Sequence, residues 1–134
     1  MIFSETDKAS IGYDHHTDHS FLVIKRDIAE EEMVDAHQDL LLMITEHKVR
    51  SGKHLSDARA LPILSATTRQ WINKVVVPFI QESSHAKRAK IALVLNEETM
   101  IDLGLRNCEQ RHSAEADTMV FDDDALAREW LSTQ

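Results

Sequence analysis

The chain has 134 residues, 43% of them apolar and 28% charged, with a formal net charge of −8, a length and balance that fit one globular unit with a self-sufficient core. The acidic surplus leaves no basic stripe to track a phosphate backbone, so nucleic acid is excluded as the expected partner. A single cysteine, Cys108, excludes an intramolecular disulfide and a cysteine zinc site, and no stretch approaches the roughly 18 apolar residues of a spanning helix.

In chain order, residues 1–8 read as a flexible leader without the apolar run of a signal peptide, and a cytoplasmic protein is the expectation. Residues 9–134 read as one domain. Ser10 to His15 predicts a short strand, His16 to His19 a polar turn, and Phe21 to Ile24 a second strand, so close that the two should form an antiparallel hairpin. Asp27 with Glu30 has the spacing of a capping box and predicts a helix to about Lys48. Met33, Ala36, Leu40 and Ile44 form its apolar stripe. His54 to Arg59 predicts a third strand, and Pro62 lies in the loop after it. Thr67 with Gln70 predicts a second capping box, and Trp71, Val75 and Phe79 the stripe of a second helix. Pro78 inside that pattern should kink or split it.

Ile91-Ala92-Leu93-Val94-Leu95 is apolar at every position. A strand with no polar face needs cover on both faces, which predicts a central parallel strand. Asn96 is a suitable N-cap for a third helix from Glu97 to about His112, with Met100, Ile101, Leu105 and Cys108 on its apolar side. Thr118 to Phe121 predicts the last strand, and Asp122 should cap a final helix that buries Leu126, Ala127, Trp130 and Leu131. The order β-β-α-β-α-β-α-β-α predicts an α/β fold: a single mixed, mostly parallel sheet of about five strands with helices packed on it.

Two stretches carry a family likeness. Lys87-Arg88-Ala89-Lys90-Ile91-Ala92-Leu93-Val94 resembles a basic entry into an apolar strand. Val120-Phe121-Asp122-Asp123-Asp124-Ala125-Leu126-Ala127-Arg128-Glu129-Trp130-Leu131 resembles a closing pattern of apolar-Phe, acidic turn and Ala-x-x-Trp-Leu. With the element order, they resemble the SpoIIAA-like (STAS-like) family of small bacterial proteins over about Ala9 to Leu131. The resemblance implies one mixed sheet and a non-enzymatic regulatory module that binds a protein partner. The best-known members are switched by phosphorylation of a serine that follows Asp and precedes a small residue and Gly. Here that region is Asp57-Ala58-Arg59-Ala60-Leu61-Pro62-Ile63-Leu64-Ser65-Ala66-Thr67-Thr68. Asp57 matches the leading acid, but there is no Asp-Ser pair and no Gly.

Candidate function then falls to three places. The loop at the carboxyl ends of the strands offers Asp57, Arg59, Ser65, Thr67 and Thr68 as a switch or ligand loop, because a phosphate there would meet a helix N-terminus. The second helix has more apolar residues than one stripe needs. Trp71, Val76, Val77 and Ile80 are the candidate apolar contact face, for self-association as a homodimer, a protein partner or a small apolar ligand. Seven of the eight histidines fall near the opposite edge of the sheet. Among them His15, His16 and His19 are weak metal candidates, the ordinary reading being a solvated turn. No cofactor is implied. A lipophilic-ligand carrier is the alternative, favoured by an enlarged apolar cavity beneath Val76 and Ile80. A hydrolase comes third and needs a base within reach of Ser65.

Overall fold

The computed structural model describes residues 1–61, 65–113 and 116–134. The run at 91–95 is apolar on both faces because it lies mid-sheet. β5 (Ala89–Val94) pairs in parallel with β4 (Lys53–Asp57) on one side and with β7 (Ala116–Phe121) on the other. β3 (His19–Ile24) continues the parallel block beyond β4. Antiparallel strands close both margins: β2 (Ala9–Asp14) and then β1 (Ile2–Glu5) beyond β3, and β6 (Glu109–His112) beyond β7. The sheet is mixed, as expected, but it has seven strands in the order β1-β2-β3-β4-β5-β7-β6, not about five.

Both extra strands lie where no apolar alternation announces them. The expected leader carries β1, which pairs with β2 through Ile2↔Gly12 and Glu5↔Ser10. Gly12 permits that pairing, since a Cβ there would lie 2.2 Å from the Met1 carbonyl. The helix expected over 97–112 stops early. α4 spans Glu97–Asp102, and Gly104 (φ 68°) ends it with a bond from Leu105 N–H to the Met100 carbonyl of 2.8 Å. This left-handed glycine stop is reinforced by Leu105 packing with Met100 in one cluster. The chain then turns back as β6. Cys108 is therefore exposed, at φ 60°, and not a buried helical thiol.

α1 (Glu30–Glu46) begins with Ala29, whose N–H donates to Glu32 Oε1 at 3.0 Å, so the reaching acid is Glu32, not Glu30. The second helical stretch runs continuously through α2 (Ala66–Trp71), a π-helical turn (Ile72–Val76) and α3 (Val77–Ser83). Pro78 explains the π turn: it has no N–H to give Lys74, and its ring crowds that carbonyl. The helix widens just before it, with Val77 N–H bonded to the Ile72 carbonyl. Ser65, not Thr67, caps this helix, accepting from Thr68 N–H at 3.2 Å. Asp123, not Asp122, caps α5 (Asp124–Ser132), in which Leu126 is 41% exposed and not buried.

α1 and the α2–α3 helix cover one face of the sheet, over Ile11, Leu22, Ile24 and Ile91. α5 covers the other, over Leu55, Ala92, Val94 and Phe121. α4 closes the carboxyl end of the first face, joining Met100 to Leu95 and Val120. Among the described residues no helix is long and apolar enough to cross a membrane.

Candidate functional site

The α1 face is not fully packed. Between the carboxyl ends of β3, β4 and β5 and the helices above them lies a cavity of about 240 Å³. Alternation puts Leu22 and Ile24 of β3, Ser56 of β4, and Leu93 and Leu95 at the end of β5 on its floor. Helical periodicity puts Met33 and His37 of α1, one turn apart, in its wall. The π turn supplies Ile72 and Asn73, α2 supplies Arg69, and α4 supplies Thr99 and Leu103. The loop after β4 completes it with Asp57, Ala58 and Leu61. The cavity thus sits where strands of an α/β sheet point their carboxyl ends and beside the kind of helix irregularity that recurs at functional sites.

Its polar groups are few and differ in how far they are satisfied. Asp57 is 5% exposed and bound at both carboxylate oxygens by Arg59, at 3.0 Å (Nε) and 2.7 Å. Arg69 and Asn73 are exposed at the mouth, without partners among the described residues. Below them lies a chain of three strand residues. Ser20 and His54 are paired across β3 and β4. Ser20 Oγ donates to the Lys53 carbonyl (3.3 Å), His54 Nδ1–H donates to Ser20 Oγ (2.8 Å), and Ser56 Oγ–H donates to His54 Nε2 (2.8 Å). The Lys53 carbonyl, which only accepts, sets this direction.

Ser56, His54 and Ser20 have the outline of a nucleophile, a base and its orienting group. Their electrostatics oppose that role. Burial, with His37 and His19 nearby, pushes the His54 imidazole down to about 3. A general base works best with a pKa near the operating pH, and this ring resists the proton it would have to take. The array is a satisfied core network whose Ser56 end borders the cavity.

His37 is different. It is 4% exposed, and burial lowers its pKa, so it is neutral near pH 7. Its Nδ1–H donates to the Met33 carbonyl at 2.8 Å. The other nitrogen, Nε2, is then a lone-pair acceptor, and it has no hydrogen-bond partner among the described residues. Trp71 meets the ring edge-on, with centroids 5.9 Å apart.

The predicted site residues are only partly brought together. Asp57 lines the cavity, and Arg59 acts through it. Ser65 and Thr67 are exposed, and Thr68 is 6% exposed within the cap. The Glu30 carboxylate accepts the Ser65 N–H at 3.1 Å and also bonds its side chain, which lowers the Glu30 pKa. The anion position at this helix start is therefore already taken, and Glu30 is a hydrogen-bonding carboxylate beside Ser65. Pro62 lies outside the described residues. Trp71, Val76, Val77 and Ile80 do not form an outward face. Val76 and Ile80 are core residues at 2% and 4% exposure, and Trp71 and Val77 pack against that core. The space lies a turn earlier, at Ile72 and Asn73.

The histidine-rich edge is also reshaped. His19 is fully buried in β3, with its pKa lowered by burial, and His54 is inside the core, so neither contributes to a basic rim. His15 and His16 remain in the exposed turn, and no group of three metal-ligating side chains occurs among the described residues. At that edge Asp117 gathers Arg88 (2.9 Å), Lys90 (2.5 Å) and His112 (2.7 Å), and the Lys90 bond above all holds its carboxyl below the usual range. His37 and Ser56 were missed by sequence reasoning. The available signal was a histidine four residues after Met33, inside the apolar stripe of α1.

Comparison with protein-family models, with curated proteins and with solved structures finds no match for this chain.

Proposed function

We propose that this chain is a binding module that takes a small, largely apolar ligand in the cavity between the sheet, α1, the π turn and α4. The observation that carries the reading is the cavity itself: about 240 Å³, lined by Leu22, Ile24, Met33, Leu61, Ile72, Leu93, Leu95 and Leu103 around a few polar groups. Mostly apolar walls with a few placed polar groups are the pattern of a small-molecule site. An apolar hole of about 150 Å³ takes benzene, so by proportion this one suits roughly ten non-hydrogen atoms. At about 0.5 kcal/mol per atom, within the known range, such a ligand binds with a Kd on the order of 0.1 mM.

Burial of Val76 and Ile80, with Trp71 and Val77 half-buried against them, favours this reading over a partner or a second copy docking on the second helix. Whether the ligand is a signal or a cargo separates a regulatory module from a lipophilic-ligand carrier, and the small volume favours the former. The SpoIIAA-like likeness belongs to this proposal too, supported by the closing pattern at 120–131 and by a parallel block flanked by antiparallel strands. Thermal unfolding with a panel of compounds of this size (toluene, indole, cyclohexanol) tests the proposal. At least one should raise Tm in a concentration-dependent way, and the rise should vanish in Ala58→Leu, which fills the cavity. A flat panel contradicts it.

A further inference from the structure

The cavity's deep polar groups carry information about the ligand beyond its size. Among the described residues, His19 Nε2 is the side-chain polar atom that is both wholly buried and without a hydrogen-bond partner. His37 Nε2 has no partner either, so it must reach open space, and the space His37 borders is the cavity. With Nδ1–H committed to the Met33 carbonyl, the neutral ring presents only a lone pair there. Ser56 gives the same sign. Its proton goes to His54 Nε2, which leaves oxygen lone pairs toward the cavity. Arg69 and Asn73 do not constrain the ligand in this way, because they are exposed at the mouth and water serves them.

We infer that the ligand carries an O–H or N–H donor on its buried end, aimed at His37 Nε2: a hydroxylated apolar molecule of the phenol or short-alcohol class, and not a hydrocarbon, ether or ester. This rests on the cavity being a binding site. The physical reason is asymmetric. Water can reach His37 in the empty cavity, but an apolar ligand displaces it and strands the acceptor, which costs more than a made hydrogen bond returns. A donor-bearing ligand avoids that loss.

The test uses an isosteric pair, p-cresol and p-xylene, titrated into the full chain by calorimetry. p-Cresol is expected to bind about tenfold more tightly than p-xylene to the unaltered protein. His37→Phe should abolish that preference while leaving p-xylene bound at least as well. In case the variant does not fold, the ¹⁵N resonance of His37 Nε2 in the unaltered protein gives a second readout, and it should move toward the hydrogen-bonded range with p-cresol and not with p-xylene. Equal affinities overturn the donor requirement, a preference that survives His37→Phe or an unmoved resonance overturns its assignment to His37 Nε2, and each of these leaves the cavity reading standing. Binding of neither compound overturns both.

Discussion

On the α5 face, Leu55, Ala92, Val94, Phe121, Ala127 and Leu131 meet at 0–2% exposure. On the α1 face the same sheet encloses about 240 Å³ and two neutral histidines. One side is packed like an ordinary core, and the other retains an opening bordered by unspent acceptors. The cause is local. The π turn before Pro78, the short α4 and the loop after β4 hold the first face apart at its carboxyl end, whereas α5 lies flat across β4, β5 and β7. The cavity of the proposed function therefore lies beside a helix irregularity, not at the acidic loops or the clustered histidines.

The largest expected effect breaks the packed face. Leu131→Ala, at 0% exposure, should cost about 3–5 kcal/mol in urea unfolding, whereas Leu93→Ala in the cavity wall should cost about 1–2 kcal/mol less than that. A loss at Leu93 equal to that at Leu131 would mean the two faces are packed alike.

Acid titration sharpens the contrast next. His19, His37 and His54 all have lowered pKa values in the fold. Below pH 6.5 the unfolded chain therefore binds protons that the native state refuses, and stability falls as pH falls. A buried ring contributes a slope of at most about 1.4 kcal/mol per pH unit, between its folded and its unfolded pKa. The His54 share persists down to about pH 3. The cavity face supplies two of the three, and His37→Phe should make the slope shallower by removing one of them. Unfolding measured at pH 7, 6 and 5 checks this, and an unchanging stability would contradict the burial of these rings.

The opposite edge of the sheet provides a control. Asp117→Asn removes the carboxylate that Arg88, Lys90 and His112 share and should cost about 1–3 kcal/mol, with no change in binding at the cavity. Because the folded Asp117 pKa is lowered, the contribution is complete above about pH 4 and is lost as pH falls below it.

The smallest effects come from added volume. Ala58→Leu, in the cavity wall, should stabilise by about 0.5–2 kcal/mol. Ala127→Leu, at 0% exposure on the sheet-facing side of α5, should destabilise by about 1–3 kcal/mol. Thermal unfolding of the pair reads the sign directly.

How much of this was legible in the residues follows from what each feature buries. β5 was readable because Ile91 to Leu95 is apolar at every position, which only a doubly covered strand tolerates. β2, β3, β4 and β7 were readable from shorter apolar or alternating runs. β1 (IFSE) and β6 (EQRH) were not, because an edge strand with little buried surface need not alternate. The end of α4 was written in Gly104, but Leu105 and Cys108 continued the helical spacing beyond it and masked the stop. Ser65 and Asp123 outcompeted their neighbours as caps by geometry that composition does not rank. The cavity was least legible, since its walls come from six separated segments and a void leaves no mark in any one of them. Pro78 signalled a helix irregularity, but not that it would take the form of a π turn opening beside Ile72.

The most direct test of the central claim is a methyl NMR titration of the full chain with p-cresol. The predicted result is saturable shifts at Leu22, Ile72, Leu93 and Leu95, with Leu55, Val94 and Leu131 unmoved. Shifts centred on the α5 face, or none at saturating ligand, would contradict it.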